Sequence, residues 1–347
     1  MISSQGTHTE GTVFRSSQAT FILCLILLCI PLFADASSKT WHVRQDGTGD
    51  TSSLAAAIAS AQDGDSILVG PGAYETYQGF VVSKPLHIIS EQGPVVTTIS
   101  NHSCIGVGGP CLGSWGFWVH DFSGSFTIRG FTIERNGDCQ ELICPYYDGC
   151  GIAVHDASGI VANNIIYDNN DQAADVRGSC SVVFEGNLIR GNNAVGISVL
   201  EGATVEIRSN TFSEGRQYYS THVEIFDATS SVNIHHNIFA NSPGKGVKNE
   251  TPGATVILEC NDFWNNTQGN CGGTLGDPVG MNGNIGADPL FCGVGIFTIR
   301  ANSPCAETQV PSACSGLRMG CYPVDCPVGV KSASWGSVKS LFRAPGH

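Results

Sequence analysis

Apolar and polar residues alternate in short runs that return at a nearly fixed interval along the middle of the chain. SFTIRGFTIERN from Ser125, SGIVANNIIYDNN from Ser158, SVVFEGNLIRGNN from Ser181, ATVEIRSNTFSEG from Ala203, SVNIHHNIFANSP from Ser231 and ATVILECNDFWNN from Ala254 line up residue for residue. Each alternates with a period of two, which predicts a strand rather than a helix. The central positions are Phe131, Asn164, Asn187, Asn210, Asn237 and Asn261. Two residues on come Ile133, Ile166, Ile189, Phe212, Phe239 and Phe263. The steps between the asparagines are 23, 23, 27 and 24 residues, and the insertion Gly137–Cys150 lengthens the step after Phe131.

A repeat of this length, with short strands and Gly/Asn turns, predicts an all-β parallel solenoid with two or three strands in each coil. Leucine-rich repeats share the period, but their Leu spacing is absent. Stacking coils at the ~4.8 Å strand spacing puts equivalent side chains on top of one another. Ile and Phe columns then fill the interior, and Asn columns at the turns form amide ladders. A solenoid must cover its open ends. Residues 52–62, around LAAAIA after Thr51-Ser52-Ser53, are expected to form a short capping helix. The Cys-rich stretch 292–326 is expected to close the other end. Trp335, Val338, Leu341 and Phe342 recur at helical spacing in the tail and predict one more turn that docks on the last coil.

The segment WHVRQDGTGDTSSLAAAIASAQDGDSILVGPGAYE, residues 41–75, resembles the N-terminal coil of the pectin-lyase-like, right-handed parallel β-helix superfamily. The six repeats also resemble that group's coils, and the resemblance covers roughly residues 41–300. It implies the fold and leaves activity open, because the same fold carries lyases, hydrolases, epimerases, adhesins and surface proteins. The polygalacturonase-type hydrolases of this fold carry an Asp-Asp pair, a G-H-G and an R-x-K motif, and none of these appears here.

A strand precedes each repeat: GFWVHDF from Gly116, GIAVHDA from Gly151, AADVRGS from Ala173, GISVLEG from Gly196, HVEIFDA from His222 and GVKNETP from Gly246. The apolar positions point inward, so Trp118/His120, Ala153/His155, Asp175/Arg177, Ser198/Leu200 and Glu224/Phe226 point outward. His120, His155 and Arg177 should be stacked neighbours with Asp175 beside them. Such a group suits proton transfer next to the carboxylate of a uronic acid, with Arg177 on that carboxylate and His155 or His120 moving the proton. Trp115, Trp118, Tyr146, Tyr147, Tyr218, Tyr219 and Glu224 are the expected sugar-binding residues, since aromatic faces stack on sugars. Asp121, Asp156, Glu201, Asp227 and Glu250 follow the strands as an acidic column. Turn chemistry explains such a column, and so does a Ca2+ site on Asp121, Asp156, Glu201 and Asp227. Asp168 and Asp171 read as turn residues. His235 and His236 are expected to alternate in and out of their strand.

Composition and charge narrow the class. Gly makes up 43 of 347 residues, and only 14% of the chain is charged. This is too apolar for a disordered chain and lacks the periods of collagen or a coiled coil. A net charge of −13 with no Lys/Arg cluster argues against nucleic acid. Residues 21–33, FILCLILLCIPLF, are too short to span a bilayer and are followed by Ala34-Asp35-Ala36. They read as a signal peptide, residues 1–36, ahead of a β-helix over 37–300 and a Cys-rich cap and tail over 301–347. Cleavage removes Cys24 and Cys29 and leaves 13 cysteines. In a secreted or cell-surface protein these should form local staples: Cys104/Cys111, Cys139/Cys144/Cys150, Cys260/Cys271, Cys292/Cys305 and Cys314/Cys321/Cys326, with Cys180 buried and free. Three N-x-S/T patterns, at Asn101, Asn249 and Asn265, are consistent with exposed loops. Two functions follow. One is a monomer that binds or modifies an extracellular polysaccharide, by β-elimination or epimerisation at a uronic acid. The other is a non-catalytic, adhesin-like solenoid.

Overall fold

A computed structural model describes residues 38–101, 114–137 and 149–326. The signal segment, Cys104, Cys111, Cys139, Cys144, Tyr146, Tyr147 and the tail after Cys326 lie outside the described residues. Every full coil contributes three short strands, one to each of three parallel sheets. Sheet A has nine strands, from Thr40–Val43 to Thr255–Glu259. Sheet B has eight, from Gly72–Thr76 to Asp262–Trp264, and sheet C has eight, from Phe80–Val82 to Cys271–Gly273. The chain passes A, B, C and then rises to the next coil. Registers follow the repeat alignment: Ile165 lies beside Leu188, Leu188 beside Thr211, and Thr211 beside Ile238.

The asparagine column is a continuous ladder. Asn187 Nδ2 donates to Asn210 Oδ1 at 3.0 Å, Asn210 to Asn237 at 3.0 Å, Asn237 to Asn261 at 3.0 Å and Asn261 to Asn284 at 3.0 Å. The backbone N–H of each donates to the same oxygen of the next residue, as Asn187 N does to Asn210 Oδ1 at 2.8 Å. The second Nδ2 hydrogen goes to a carbonyl of the coil before, such as Asn210 to Phe184 O at 2.9 Å. Asn164, Asn187, Asn210, Asn237 and Asn261 are buried, so each amide exchanges water for partners on two neighbouring coils. Phe131 stands at the head, and its N–H donates to Asn164 Oδ1. A second ladder joins sheets B and C through Asn136, Asn169 and Asn192. The residue before each rung of the first ladder takes a left-handed turn: Gly130, Asn163, Gly186, Ser209, His236 and Cys260. Inside, Phe212, Phe239 and Phe263 stack with centroids 4.8 and 5.1 Å apart.

Helix α1, Leu54–Ser60, covers the first coil. It is shorter than the expected 52–62. Ser53 is its N-cap, with Oγ accepting from Ala56 N, and the backbone is already extended at Ala61. Leu54, Ala57 and Ile58 enter the core beside Val43 and Val69.

The Cys-rich segment lies along the flank of sheet B. Phe297 packs on Ile165 and Leu188. Ile299, Cys305, Cys314 and Met319 pack with Ile238 and Ala240. Gly320 N donates to His236 O at 2.8 Å, and Cys321 N to Thr211 Oγ1 at 3.1 Å. This side-on path corrects the expected staples. Cys260 pairs with Cys314 and Cys292 with Cys326. Cys271, Cys305 and Cys321 are free, as are the buried Cys150 and Cys180. The outer face of sheet B offers apolar residues at Ile165, Leu188 and Ile238, and covering them draws distant cysteines together. Two sequon asparagines are also not on exposed loops: Asn101 and Asn249 are buried. His235 and His236 do not alternate in and out. The strand ends at His235, His236 turns left-handed, and the two Nδ1 atoms meet at 3.0 Å.

Two outcomes test this arrangement. Asn210→Leu removes the acceptor of the Asn187 N–H and of one Asn187 Nδ2 hydrogen, each at about 1–3 kcal/mol. Urea unfolding should show a loss of at least about 2 kcal/mol, against about 0.5 kcal/mol or less for the exposed Thr204→Ala. Asp262 is buried under the Cys-rich segment, with Oδ1 accepting from Ala287 N and Oδ2 3.3 Å from Cys305 Sγ. Burial pushes its carboxyl up from 3.8 to about 7. Between these values the unfolded chain is ionised and the folded chain is not, so stability should fall as pH rises from about 4 to about 7 and level off on either side. Asp262→Asn should remove that slope in chemical denaturation at stepped pH.

Candidate functional site

The outer face of sheet C carries two rows of side chains, fixed by the strand register. His120 lies beside His155 and His155 beside Arg177. The second row runs Trp118, Ala153, Asp175, Ser198, Glu224 and Lys248. Phe117, Val119, Ile152, Val154, Ala174 and Val176 point the other way and are buried in the core, so these strands cannot shift by one residue without inverting the face.

Asp175 is the hub. Its carboxylate is only 6% exposed. Oδ2 accepts from Arg177 Nε at 2.9 Å, from Arg177 Nη2, and from His155 Nε2 at 3.2 Å. A carboxylate facing Nε2 holds the His155 proton there and leaves Nδ1 with the lone pair. The other oxygen, Asp175 Oδ1, is buried with no hydrogen-bond partner. His120 Nδ1 meets Asp121 Oδ2 at 3.0 Å, so Nδ1 carries the proton. His120 Nε2 and Trp118 Nε1 are likewise buried and unpartnered. The rings of Trp118 and His120 stack at 4.0 Å, and Trp115 lies 4.7 Å from Trp118. A short aromatic platform therefore leads to the polar cluster. Buried orphan atoms are uncommon and costly. Three of them lie on this face: Trp118 Nε1, His120 Nε2 and Asp175 Oδ1.

The remaining expected residues fall elsewhere. Tyr218 and Tyr219 are 75% and 54% exposed on the loop before Val223–Ile225, two coils beyond Arg177. Glu224 is buried and accepts from Lys248 Nζ at 2.9 Å, and Lys248 also bonds Glu250. Burial pushes the Glu224 carboxyl up, against the pull of Lys248. Lys248 and Gln172, whose side chain meets Ser198 Oγ, were not singled out as site residues. Lys248 holds the outward position of GVKNETP, so the register alone would have found it.

The acidic column belongs to the turns. Asp121, Asp156 and Glu201 have left-handed backbones, and Gly178 fills the same place in the coil between Asp156 and Glu201. A position that accepts Gly selects backbone conformation rather than a carboxylate. Asp156 Oδ1 accepts from Ser179 N, and both oxygens of Asp227 are taken by Thr229 and Ser230. Among the described residues no three His, Cys, Asp or Glu side chains converge on a cation position. The column does not fit Ca2+. Asp168 is tied to Arg135 and Arg216, as turn chemistry requires.

The sequence model described as "Right handed beta helix region" matches residues 115–284, the coils that build this face. The fold is a right-handed parallel β-helix. Among solved structures, pectate lyase Pel9A is 14% identical over 65% of this chain and 63% of its own, with a TM-score of 0.47. Pectin methylesterase from carrot is 12% identical over 72% of this chain and 88% of its own, with a TM-score of 0.35. This chain thus spans under two thirds of the pectate lyase. At such distances no activity transfers. No curated protein matches the sequence.

Heteronuclear NMR of the histidine rings tests the hub. His155 should show the Nε2–H tautomer and His120 the Nδ1–H tautomer at neutral pH. Asp175→Ala should release His155 to a mixture and leave His120 unchanged.

Proposed function

We propose that the outer face of sheet C binds an extracellular polysaccharide and acts on a uronic acid within it. The observation that carries this is the Asp175 hub: a buried carboxylate joins a histidine with a free Nδ1 to an arginine, next to an aromatic platform with unpartnered polar atoms. The two disulfides fit an oxidising, extracellular setting.

In this reading the sugar stacks on Trp115 and Trp118, and its hydroxyls bond Trp118 Nε1, His120 Nε2 and Asp175 Oδ1. Nη1 of Arg177, the guanidinium nitrogen not bonded to Asp175, neutralises the uronate carboxylate. That lowers the cost of placing charge on the adjacent carbon. His155 Nδ1 takes the proton from that carbon, and Asp175 stabilises the imidazolium. The electron pair then forms a double bond as the glycosidic C–O bond breaks and the leaving oxygen gains a proton. Return of the proton to the opposite face would instead give epimerisation. A non-catalytic binding role is favoured by one feature: Arg177 already commits Nε and Nη2 to Asp175.

A panel of uronate polysaccharides, read at the absorbance of unsaturated products, distinguishes the two. Product is expected from at least one polymer, equally with Ca2+ and with a chelator, and about 100-fold less from His155→Ala/Arg177→Ala. No product, together with unchanged glycan binding in that double variant, would remove the site altogether. No product with weakened binding would leave the adhesin-like role.

A further inference from the structure

A cavity lies away from the Asp175 cluster of sheet C. The strands Phe291–Gly293 and Ile296–Ile299 form a hairpin, and an open cavity of about 340 Å³ lies between its first strand, Arg300 and Trp264 at the end of sheet B. That volume falls in the range of small-ligand sites. Trp264 is the third residue of its strand, on the outer face of the sheet, and is 37% exposed. Phe291 forms another wall, its ring fixed edge-on against Phe297 at 5.3 Å.

The polar lining has unused capacity of three kinds. Arg300 makes no ion pair among the described residues, while Arg177, Arg190 and Arg208 are all paired. Asp288 uses Oδ1 to accept from Leu290 N at 2.9 Å, and its Oδ2 has no partner among the described residues. Asn241 uses its Oδ1 to accept from Asn265 Nδ2 at 2.9 Å, which leaves its own amide hydrogens to donate. The rim is also strained. Leu290 has a left-handed backbone at φ 51°, which crowds the Cβ of a non-glycine residue. Asp288 holds it on one side, and Arg300 N donates to Leu290 O at 3.1 Å on the other.

We infer that this cavity is a second glycan subsite, built for one pyranose ring that carries a carboxylate. The apolar face of the ring lies on Trp264, the carboxylate meets Arg300, and hydroxyls bond Asp288 and Asn241. A chain with a net charge of −13 has no general attraction for anions, so selection here must come from the directed guanidinium. The planar, two-faced Trp264 adds what a simple anion cannot use. This site shares no residue with the sheet C cluster and does not depend on its chemistry. It would hold the polymer without acting on it, and linking the two sites through one chain would raise avidity.

The test uses the full chain carrying His155→Ala/Arg177→Ala, which removes the sheet C carboxylate contact and proton acceptor, and reads a signal local to Trp264. Glucuronate and glucose are titrated while the indole N–H of Trp264 is followed by NMR and assigned through Trp264→Phe. Glucuronate should shift that resonance saturably, with glucose at least tenfold weaker. Adding Arg300→Gln should weaken glucuronate at least tenfold and bring it close to glucose. Trp264→Phe should retain binding seen on the ligand signals, and Trp264→Ala should lose it, with circular dichroism showing both variants folded. No shift with glucuronate, equal response to glucose, or unchanged binding in Arg300→Gln would each overturn the assignment. Because the resonance followed is that of Trp264 itself, these results report on this cavity and not on the sheet C face.

Discussion

The structure depends on the hydrogen bonds of one buried asparagine column. A coil of some two dozen residues cannot fold alone, since it has no second layer to bury its apolar residues against. Stacking supplies the layer, but stacking parallel strands leaves each turn with backbone groups that water can no longer reach. The amides of Asn164, Asn187, Asn210, Asn237 and Asn261 bond those groups from coil to coil. They also fix the register, because an amide displaced by one residue would leave two coils unsatisfied. The phenylalanine stack inside contributes about 1.5–3 kcal/mol per buried ring, yet it would tolerate some sliding that the ladder does not.

The fixed register turns a sequence repeat into a surface. Each outward residue of sheet C has a neighbour determined by the repeat, and so His120, His155 and Arg177 form a row although 35 and 22 residues separate them along the chain. Asp175 lies in the adjacent row, close enough to bond both Arg177 and His155. A helix would spread these groups around its circumference, and a loop would need its own scaffold. Here the scaffold is the interior, and the outward face is free to carry chemistry without cost to the core.

This division also explains what could be seen in the sequence. The core columns, the ladder and the row of His120, His155 and Arg177 were legible because each depends only on the repeat. What depends on a single turn or on the path of a non-repeating segment was not. His236 meets His235 because of a left-handed backbone at one residue, and the period of two assigned it to the opposite face. Asp121, Asp156 and Glu201 fitted both a turn and a cation site in the sequence, and the left-handed backbone they share with Gly178 supports the turn. The cysteine pairs follow the return of the chain along sheet B, which brings Cys314 to Cys260 across 54 residues. Short spacings carried no information about that path. Trp264 was visible only as the last apolar residue of a repeat, since the hairpin that makes it a wall has no counterpart in other coils.

The central claim is that function resides on the outer face of sheet C, organised by Asp175. Hydrogen exchange with and without a saturating uronate oligosaccharide tests it most directly. The account predicts added protection in residues 115–121, 151–156 and 173–178, lost in Asp175→Ala, while the same coils in sheet A stay unchanged. Protection confined to other faces, or retained in full by Asp175→Ala, would contradict it.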